Sequence, residues 1–511
     1  MKQRFATQTD LPLPMQMAML MWWIAGLVLI GDVSVHARCA ADDTDAPSAA
    51  RSEPQPPDTR PNVLMIAVDD LNDWVGCLGG HPQSVTPNLD AFAQRSVVFT
   101  NAHCQAPICN PSRISLLTGT RPSTTGIYYL GPLLRQCDST EDAVTLPQHF
   151  ARHGYHTMAA GKIFHVEGRG EFDLYAGNMG GMGPRPPKPI SAGHSHPLWD
   201  WGAFPDSDEL MPDAKIAAWA SEQLAKSYDQ PFFLACGFYR PHVPMTVPHK
   251  WFDLHPLDQV QLPAYTETDL DDVPAYGQDL SYSAVAPRHS WIVEHDEWRH
   301  AVQSYLASVT FVDAQVGKVL DALRTSAHAD NTMVVIWSDH GFHLGTKQRW
   351  GKRSLWEDST RVVLMMHRPT DSVGTRCNRP VELLDLFPTF NDLCQLPPVT
   401  GLEGQSLTPL LDDANAAWPW PAITSFGQQN HAVRTQNWRY IRYVDGSEEL
   451  YDHRVDPHEW TNLAARPEYR EVIREHRRWL PQVNQPMAPG SVHADARPGS
   501  AADIDSDDAA Q

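Results

Sequence analysis

The sequence predicts an α/β fold: a large, mostly parallel mixed sheet flanked by helices, with a small antiparallel sheet near the C-terminus. Three observations carry this. Four runs are almost wholly apolar: Asn62–Val68 (NVLMIAV), Phe232–Phe238 (FFLACGF), Met333–Trp337 (MVVIW) and Arg361–Met366 (RVVLMM). Such runs suit strands buried on both faces. Helical patterns lie between them, at about 213–226 and 298–324. Strands that alternate with helices imply a parallel sheet. Finally, Asn437–Tyr443 (NWRYIRY) alternates, reaches Asp445-Gly446 and is followed by Glu449-Leu450-Tyr451, which reads as an antiparallel hairpin.

Charge and the two ends bound the function. Lys plus Arg total 40 against 61 Asp plus Glu, a formal net charge of −21. That balance argues against a nucleic-acid binder that works through positive charge. Met17–Ile30 is uncharged, follows Lys2 and Arg4, and precedes the small-residue site Val35-His36-Ala37. This is the pattern of a cleaved signal peptide, and the run is short for a ~20-residue span. The protein is therefore expected to be periplasmic or secreted, with no stable membrane insertion after cleavage. The expected organisation is a signal peptide at 1–37, a disordered linker at 38–60, a main domain at 61–415, a C-terminal subdomain at 416–484 and a disordered acidic tail at 485–511. Cys39 sits at the signal boundary. The remaining seven cysteines are an odd number; export permits disulfides, and the pairing is open.

In parallel sheets, ligands bind beyond the carboxyl ends of the strands. Asp69 and Asp70 follow the first run, and Asp339 and His340 follow the third. Carboxylates gathered there repel one another, and a hard divalent cation such as calcium or magnesium relieves the repulsion. Between them lies Pro107–Arg121 (PICNPSRISLLTGTR). Asn110 suits an N-cap, Pro111 the first helical position and Gly119 the helix end. Cys109 then precedes a helix N-terminus, where free N–H groups favour an anion, and Arg113 can turn toward the same anion. The residues alone suggest a nucleophilic cysteine beside an anion site.

The segment Cys109-Asn110-Pro111-Ser112-Arg113…Leu117-Thr118-Gly119 resembles the C-x-P-S-R…L-T-G signature of type I sulfatases, formylglycine-dependent enzymes of the alkaline phosphatase superfamily. Asn110 departs from the small residue usual there. The likeness runs from about Asn62 to Leu463 and takes in LYDHRVDPHEWTNLA. Gly161–His165 (GKIFH), Arg240–Pro244 (RPHVP) and Ser338–Gly341 (SDHG) followed by Lys352 are similar to iduronate-2-sulfatase in particular. The resemblance implies the alkaline phosphatase-like fold, sulfate-ester hydrolysis on sulfated carbohydrate, and one calcium ion. Its ligands would be Asp69, Asp70, Asp339, His340 and the modified Cys109. A formylglycine-generating enzyme would be the maturation partner, oxidising Cys109 to an aldehyde whose hydrate attacks sulfur. Arg113 would then hold the hydroxyl and the metal carboxylates. Lys162 and Lys352 would bind sulfate oxygens, His242 would protonate the leaving alcohol, and His165 would take the hydrate proton.

Other readings complete the picture. Lys347, Arg349 or Arg353 is a candidate to read a substrate carboxylate. The Gly- and Pro-rich segment 166–204 is either a substrate-facing lid, with Trp199 and Trp201 stacking on sugar rings, or a disordered insertion. His194 and His196 are weak metal candidates. By the resemblance, the C-terminal sheet shapes the substrate pocket. The competing functions are a phosphonate monoester or phosphodiester hydrolase of the same superfamily, and a catalytically silent polysaccharide-binding protein.

Overall fold

Strand β1 (Asn62–Val68) shows why the apolar runs are continuous. Its residues Val63, Met65 and Ala67 enter one core, while Leu64, Ile66 and Val68 enter another, all fully buried. A strand without a polar face needs a cover on both sides. The structure is a computed structural model that describes residues 60–166, 168–193 and 196–491. The expected signal peptide, Cys39 and nearly all of the linker lie outside the described residues.

The elements of the body that build the main sheet and its principal covers follow in chain order: β2 (Val97–Phe99), α1 (Cys109–Thr118), β3 (His156–Gly161), β4 (Leu174–Tyr175), α2 (Pro212–Leu224), β5 (Phe232–Phe238), α3 (Trp298–Arg324), β6 (Thr332–Ser338), β7 (Leu364–His367), β8 (Thr375–Cys377) and α4 (Leu386–Leu393). Eight strands form one sheet in the order β8-β2-β7-β6-β1-β5-β3-β4. Helices α2 and α3 cover the face of Leu64 and Ile66; α1 and α4 cover the other. Parallel pairing of β1 with β5 and β6 sets Val68 opposite both Phe238 and Ser338. Asp69 and Asp339 therefore leave the sheet side by side. That register creates the site.

The fourth apolar run differs from the expectation. Arg361–Val362 pairs antiparallel with Ala102–His103, and β7 runs antiparallel to both β6 and β2. At the break, the Val363 and Ser338 backbones bond each other and the Ser338 hydroxyl accepts from the Val363 N–H. A strand buried on both faces has the same apolar composition in either direction, so the run alone did not reveal its polarity.

The C-terminal strands β9 (Ala422–Ser425), β10 (His431–Arg434), β11 (Trp438–Arg442) and β12 (Glu448–Asp452) make a four-stranded antiparallel sheet in sequence order. The expected hairpin is β11–β12, and Gly446 takes the left-handed conformation (φ 96°) in its turn. The sheet is fixed to the body by Thr424 Oγ1 donating to the Cys104 carbonyl (2.6 Å) and Trp356 Nε1 donating to Glu449 Oε2 (2.8 Å). Residues 485–491, expected to open the disordered tail, instead bond the body: Gln485 N–H reaches Ser123 O (2.8 Å) and Ala488 N–H reaches Gly126 O (2.9 Å). Both bonds use backbone groups, which composition does not register. The rest of the tail lies outside the described residues. All seven described cysteines are free thiols, and burial pushes those of Cys77, Cys236 and Cys394 up to about 12.

One buried histidine gives a stability prediction. His343 is 1% exposed, with Nδ1 on Thr346 Oγ1 and Nε2 on Ser354 Oγ, both at 2.8 Å. Burial, reinforced by Arg349 and Lys347, lowers it from 6.5 to about 3. The unfolded chain takes up this proton first as pH falls. The stabilisation is thus present above pH 6.5 and is lost on the way down toward pH 3. Thermal melts of His343→Gln and the parent should show a shallower acid-side loss in the variant. Parallel pH profiles would refute the assignment.

Candidate active site

Asp69 and Asp70 follow β1 directly. Asp69 continues the ladder, its N–H bonding Phe238 O (3.1 Å). At Asp70 the chain turns left-handed (φ 59°), a conformation Asp tolerates better than most residues. The Tyr305 hydroxyl from α3 donates to the Asp70 carbonyl (2.7 Å), and Asp70 N–H donates to Asp339 Oδ1 (3.2 Å). Both carboxylates are 0% exposed. Tyr305 was not singled out from the sequence, because a Tyr on an amphipathic helix reads as core.

Helix α1 begins at Cys109, with Ile108 as its extended N-cap. Asn110 is therefore not the cap. It lies in the first turn and donates through Nδ2 to the Tyr129 and Pro132 carbonyls (3.1 and 3.0 Å). Those acceptors belong to a distant loop and outcompete the local capping role. Gly119 closes the helix at φ 72°, as expected. Ser112 Oγ bonds the Asp339 carbonyl (2.5 Å), tying the helix to the end of β6.

Around the Cys109 sulfur the expected residues converge. Lys352 Nζ lies 3.0 Å from Sγ and 2.7 Å from Asp70 Oδ1. His340 Nε2 is 3.3 Å from Sγ, and Asp69 Oδ1 is 3.7 Å away. Lys162 Nζ bonds Asp69 Oδ2 at 2.7 Å and lies 3.9 Å from Sγ. His165 helps to lower the Cys109 thiol, and its Nδ1 is buried without a hydrogen-bond partner. His242 Nε2 lies 3.8 Å from Asp70 Oδ2, while its Nδ1 bonds Val243 O at 2.6 Å. Beneath them Arg113, fully buried, donates from Nε to Asp339 Oδ2 (2.9 Å) and from Nη2 to Asp69 Oδ1 (3.1 Å).

The electrostatics follow from this packing. Burial would raise the Cys109 thiol, but Lys162 and Lys352 outweigh it and hold the thiol well below its usual range. Burial drives Asp339 up to about 7 against the pull of Arg113. Burial would lower His340, yet Asp339 holds it up to about 9. For His242, burial is likewise outweighed by Asp70, and its pKa is raised.

Asp70, Cys109, His165, His242 and Lys352 floor a cavity that opens to solvent. Its walls include Leu198, Trp199, Val243, Phe342 and Trp350, with His196 and Arg353 as polar members. Three sequence expectations change here. Trp201 does not face the cavity: it is 1% exposed, and its Nε1 donates to Glu297 Oε2 (2.7 Å). Its strand, Trp201–Ala203, pairs with Met245–Val247, which turns that ring into the core. His194 lies outside the described residues, and His196 does not join the carboxylate cluster. Finally, among the described residues lining the cavity none comes from the C-terminal sheet. That sheet instead braces the segment behind it: Arg439, fully buried, pairs with Glu357 and Glu459 and donates to Leu355 O.

Comparison with known proteins places this geometry. Residues 61–396 match the family model described as Sulfatase, and 345–485 match that of the N-sulphoglucosamine sulphohydrolase C-terminal region. A Sulfatase of Formosa agariphila is 42% identical over 441 residues, covering 83% of this chain and 87% of its own. The Iduronate 2-sulfatase of Mus musculus is 30% identical over 425 residues, covering 72% and 73%. A solved 2-O GAG sulfatase superposes with a TM-score of 0.65 at 24% identity, covering 82% of this chain and 91% of its own. The phosphonate monoester hydrolase of Agrobacterium radiobacter does so at 0.68 and 22%, covering 82% and 94%. At such identities these two show a shared fold, which is the alkaline phosphatase-like one. The family model spans most of the described chain, and every residue expected for sulfate-ester chemistry meets at the ends of β1 and β6. This protein belongs to the sulfatase family and is a sulfuric ester hydrolase.

Proposed function

We propose that this protein is an exported, calcium-dependent sulfatase that removes sulfate from sulfated saccharides through formylglycine at position 109, with the uronic acid 2-O-sulfate preference of an iduronate-2-sulfatase. The observation that carries the reading is the Cys109 sulfur at the α1 N-terminus, 3.0 Å from Lys352 Nζ and 3.3 Å from His340 Nε2. This sulfur stands where the formylglycine oxygens would be. The sequence relatives named for 2-O-sulfated uronates, iduronate 2-sulfatase and a Δ4,5-hexuronate-2-O-sulfatase, support the substrate class.

The residues fit a calcium ion. Ligand atoms of Asp69, Asp70, Cys109 and His340 lie within 4.8 Å of one another, and Asp70 Oδ2 is buried without a hydrogen-bond partner. Oxygen-rich donors suit a hard cation. Asp339 would join them, although its Oδ1 and Oδ2 already accept from Asp70 N–H and Arg113. A carboxylate oxygen has a lone pair to spare for a cation. Bound there, calcium would supply charge that offsets sulfate and acidifies the residue-109 hydrate. Formylglycine would supply one hydroxyl to attack sulfur and a second to release sulfate.

The chain's own groups complete the chemistry. Lys162 and Lys352 hold sulfate oxygens and stabilise charge as the ester bond breaks. His165 takes a proton from the residue-109 hydrate. The Val243 carbonyl can only accept, so His242 Nδ1 carries a proton. The raised pKa favours a second proton on Nε2, where His242 lines the cavity. That proton goes to the leaving alcohol. His242→Gln is therefore expected to slow saccharide sulfates by about 10²- to 10⁴-fold. 4-Nitrophenyl sulfate, whose leaving group needs no proton, should slow far less. Equal losses on both would remove the general-acid role.

The reading is tested on protein recovered after export. Mass spectrometry of the residue-109 peptide should show formylglycine, and sulfate release should stop in chelator and return with calcium. An unmodified cysteine in active protein would overturn the mechanism. Faster hydrolysis of a phosphonate monoester than of any sulfate ester would establish the phosphonate hydrolase reading instead.

A further inference from the structure

The three cations weighed for a substrate carboxylate have different fates. Lys347 is 2% exposed; its Nζ pairs with Asp269 Oδ1 at 2.5 Å and bonds Glu459 O, beneath the Trp356 and Tyr451 rings. Arg349 donates to Ser281 Oγ and Gln278 O, both at 2.9 Å, and lines a neighbouring hollow rather than the catalytic cavity. Arg353 alone of the three lines the cavity that holds Asp70, Cys109, His165 and His242.

The backbone explains how. Successive residues of an extended chain point to opposite sides. Lys352 already faces Cys109, so an extended Arg353 would face away. Instead Arg353 is left-handed (φ 81°), a conformation that a side chain of this size rarely adopts. Its N–H donates to Pro107 O at 3.1 Å, which pins it to the loop two residues before Cys109. The turn lets consecutive cations line one cavity. Lys352 is engaged with Asp70 and the residue-109 position. Trp199, Phe342 and Trp350 offer the flat apolar walls on which a sugar ring packs.

We propose that Arg353 is the specificity residue of this site, binding the carboxylate of a uronic acid whose sulfate is held by Lys352 and Lys162. This rests on the sulfatase reading above and adds to it a named recognition residue. In a pyranose, C2 and C5 lie across the ring from each other. A 2-O-sulfate and a C5 carboxylate are thus held at a fixed separation, suited to two cations on one wall. A guanidinium grips a carboxylate through two parallel hydrogen bonds, which lysine cannot do.

The test uses the full-length, formylglycine-bearing protein and three substrates: a hexuronic acid 2-sulfate, its methyl ester, and 4-nitrophenyl sulfate. The parent should favour the free acid over the methyl ester by about 10- to 100-fold in kcat/KM, the range of a charge-assisted contact. In Arg353→Gln that acid-to-ester ratio should fall to near 1, and Arg353→Lys should restore part of it. The parent measurement needs no variant, so a misfolded Arg353→Gln leaves the proposal open to refutation. Equal turnover of acid and ester by the parent, or an unchanged ratio in a folded Arg353→Gln, overturns the Arg353 proposal. Hydrolysis of 4-nitrophenyl sulfate in that case leaves the sulfatase reading standing. Failure of the parent on all three overturns both.

Discussion

Replacing Arg113 with methionine is expected to abolish sulfate release and to cost about 3–5 kcal/mol of stability. The guanidinium is fully buried and bridges Asp69 and Asp339 at 3.1 and 2.9 Å. Its Nη1 also donates to the Lys162 and Ile163 carbonyls. Methionine fills a similar volume but leaves buried carboxylates short of charge and two carbonyls short of a donor. Burial works against the charge on Arg113, and Asp339 and Asp69 hold it in place. The loss should be largest at alkaline pH. Asp339 is already raised to about 7, and without Arg113 it rises further. The folded variant then binds more protons than the folded parent, so the deficit shrinks as pH falls. Calcium should narrow it as well, because carboxylates freed of the Arg113 charge attract the cation more strongly, and tighter binding to the folded state stabilises the variant more than the parent. Urea melts of parent and variant at pH 8 and pH 5.5, with and without calcium, measure all three effects. A loss under about 1 kcal/mol at pH 8 would show that Arg113 does not hold the site together.

The contrast between Arg113 and Lys347 shows what the sequence could reveal. Arg113 was legible because Cys109 and the helix pattern fix its place within one short segment. So were Asp69, Asp70, Asp339 and His340, since a parallel register brings strand ends together whatever lies between. Lys347 was not. Its partner Asp269 is 78 residues away in a segment with no periodicity, so the basic cluster read as one group although its members face three directions. Of Lys347, Arg349 and Arg353, only Arg353 turns into the cavity, and a left-handed φ at a non-glycine residue leaves no compositional mark. Trp201 and Asn110 follow the same rule: each has a sound local role that a tertiary partner overrides, Glu297 for one and the Tyr129 and Pro132 carbonyls for the other. The C-terminal hairpin was readable from its alternation and its Asp-Gly turn. Its function as a brace through Arg439, Glu357 and Glu459 depends on ion pairs between elements far apart in sequence.

Cys109→Ala is expected to divide catalysis from stability. Turnover should fall by about 10⁴-fold or more, because the variant has no side chain that can become the nucleophile. Stability should change by no more than about 1 kcal/mol. The reason lies in the pairing. Lys352 and Lys162 both approach the sulfur, yet each also has a carboxylate at 2.7 Å, Asp70 for one and Asp69 for the other. Removing the sulfur strands neither lysine, and Arg113 still bridges the two carboxylates below. Calcium-dependent protection against thermal unfolding should therefore persist in Cys109→Ala. It should weaken in Asp69→Asn, which alters a proposed calcium ligand and deprives Lys162 and Arg113 of a partner. Thermal shifts with calcium and with chelator compare the variants directly. If Cys109→Ala unfolds as readily as Arg113→Met, the thiol is a structural member of the ion cluster, and a nucleophile would have to be sought elsewhere in the cavity. If it stays folded, binds calcium and releases no sulfate, position 109 acts in the reaction alone. The frame then belongs to Arg113 and the strand-end carboxylates, which hold their geometry whether or not the reacting group is present.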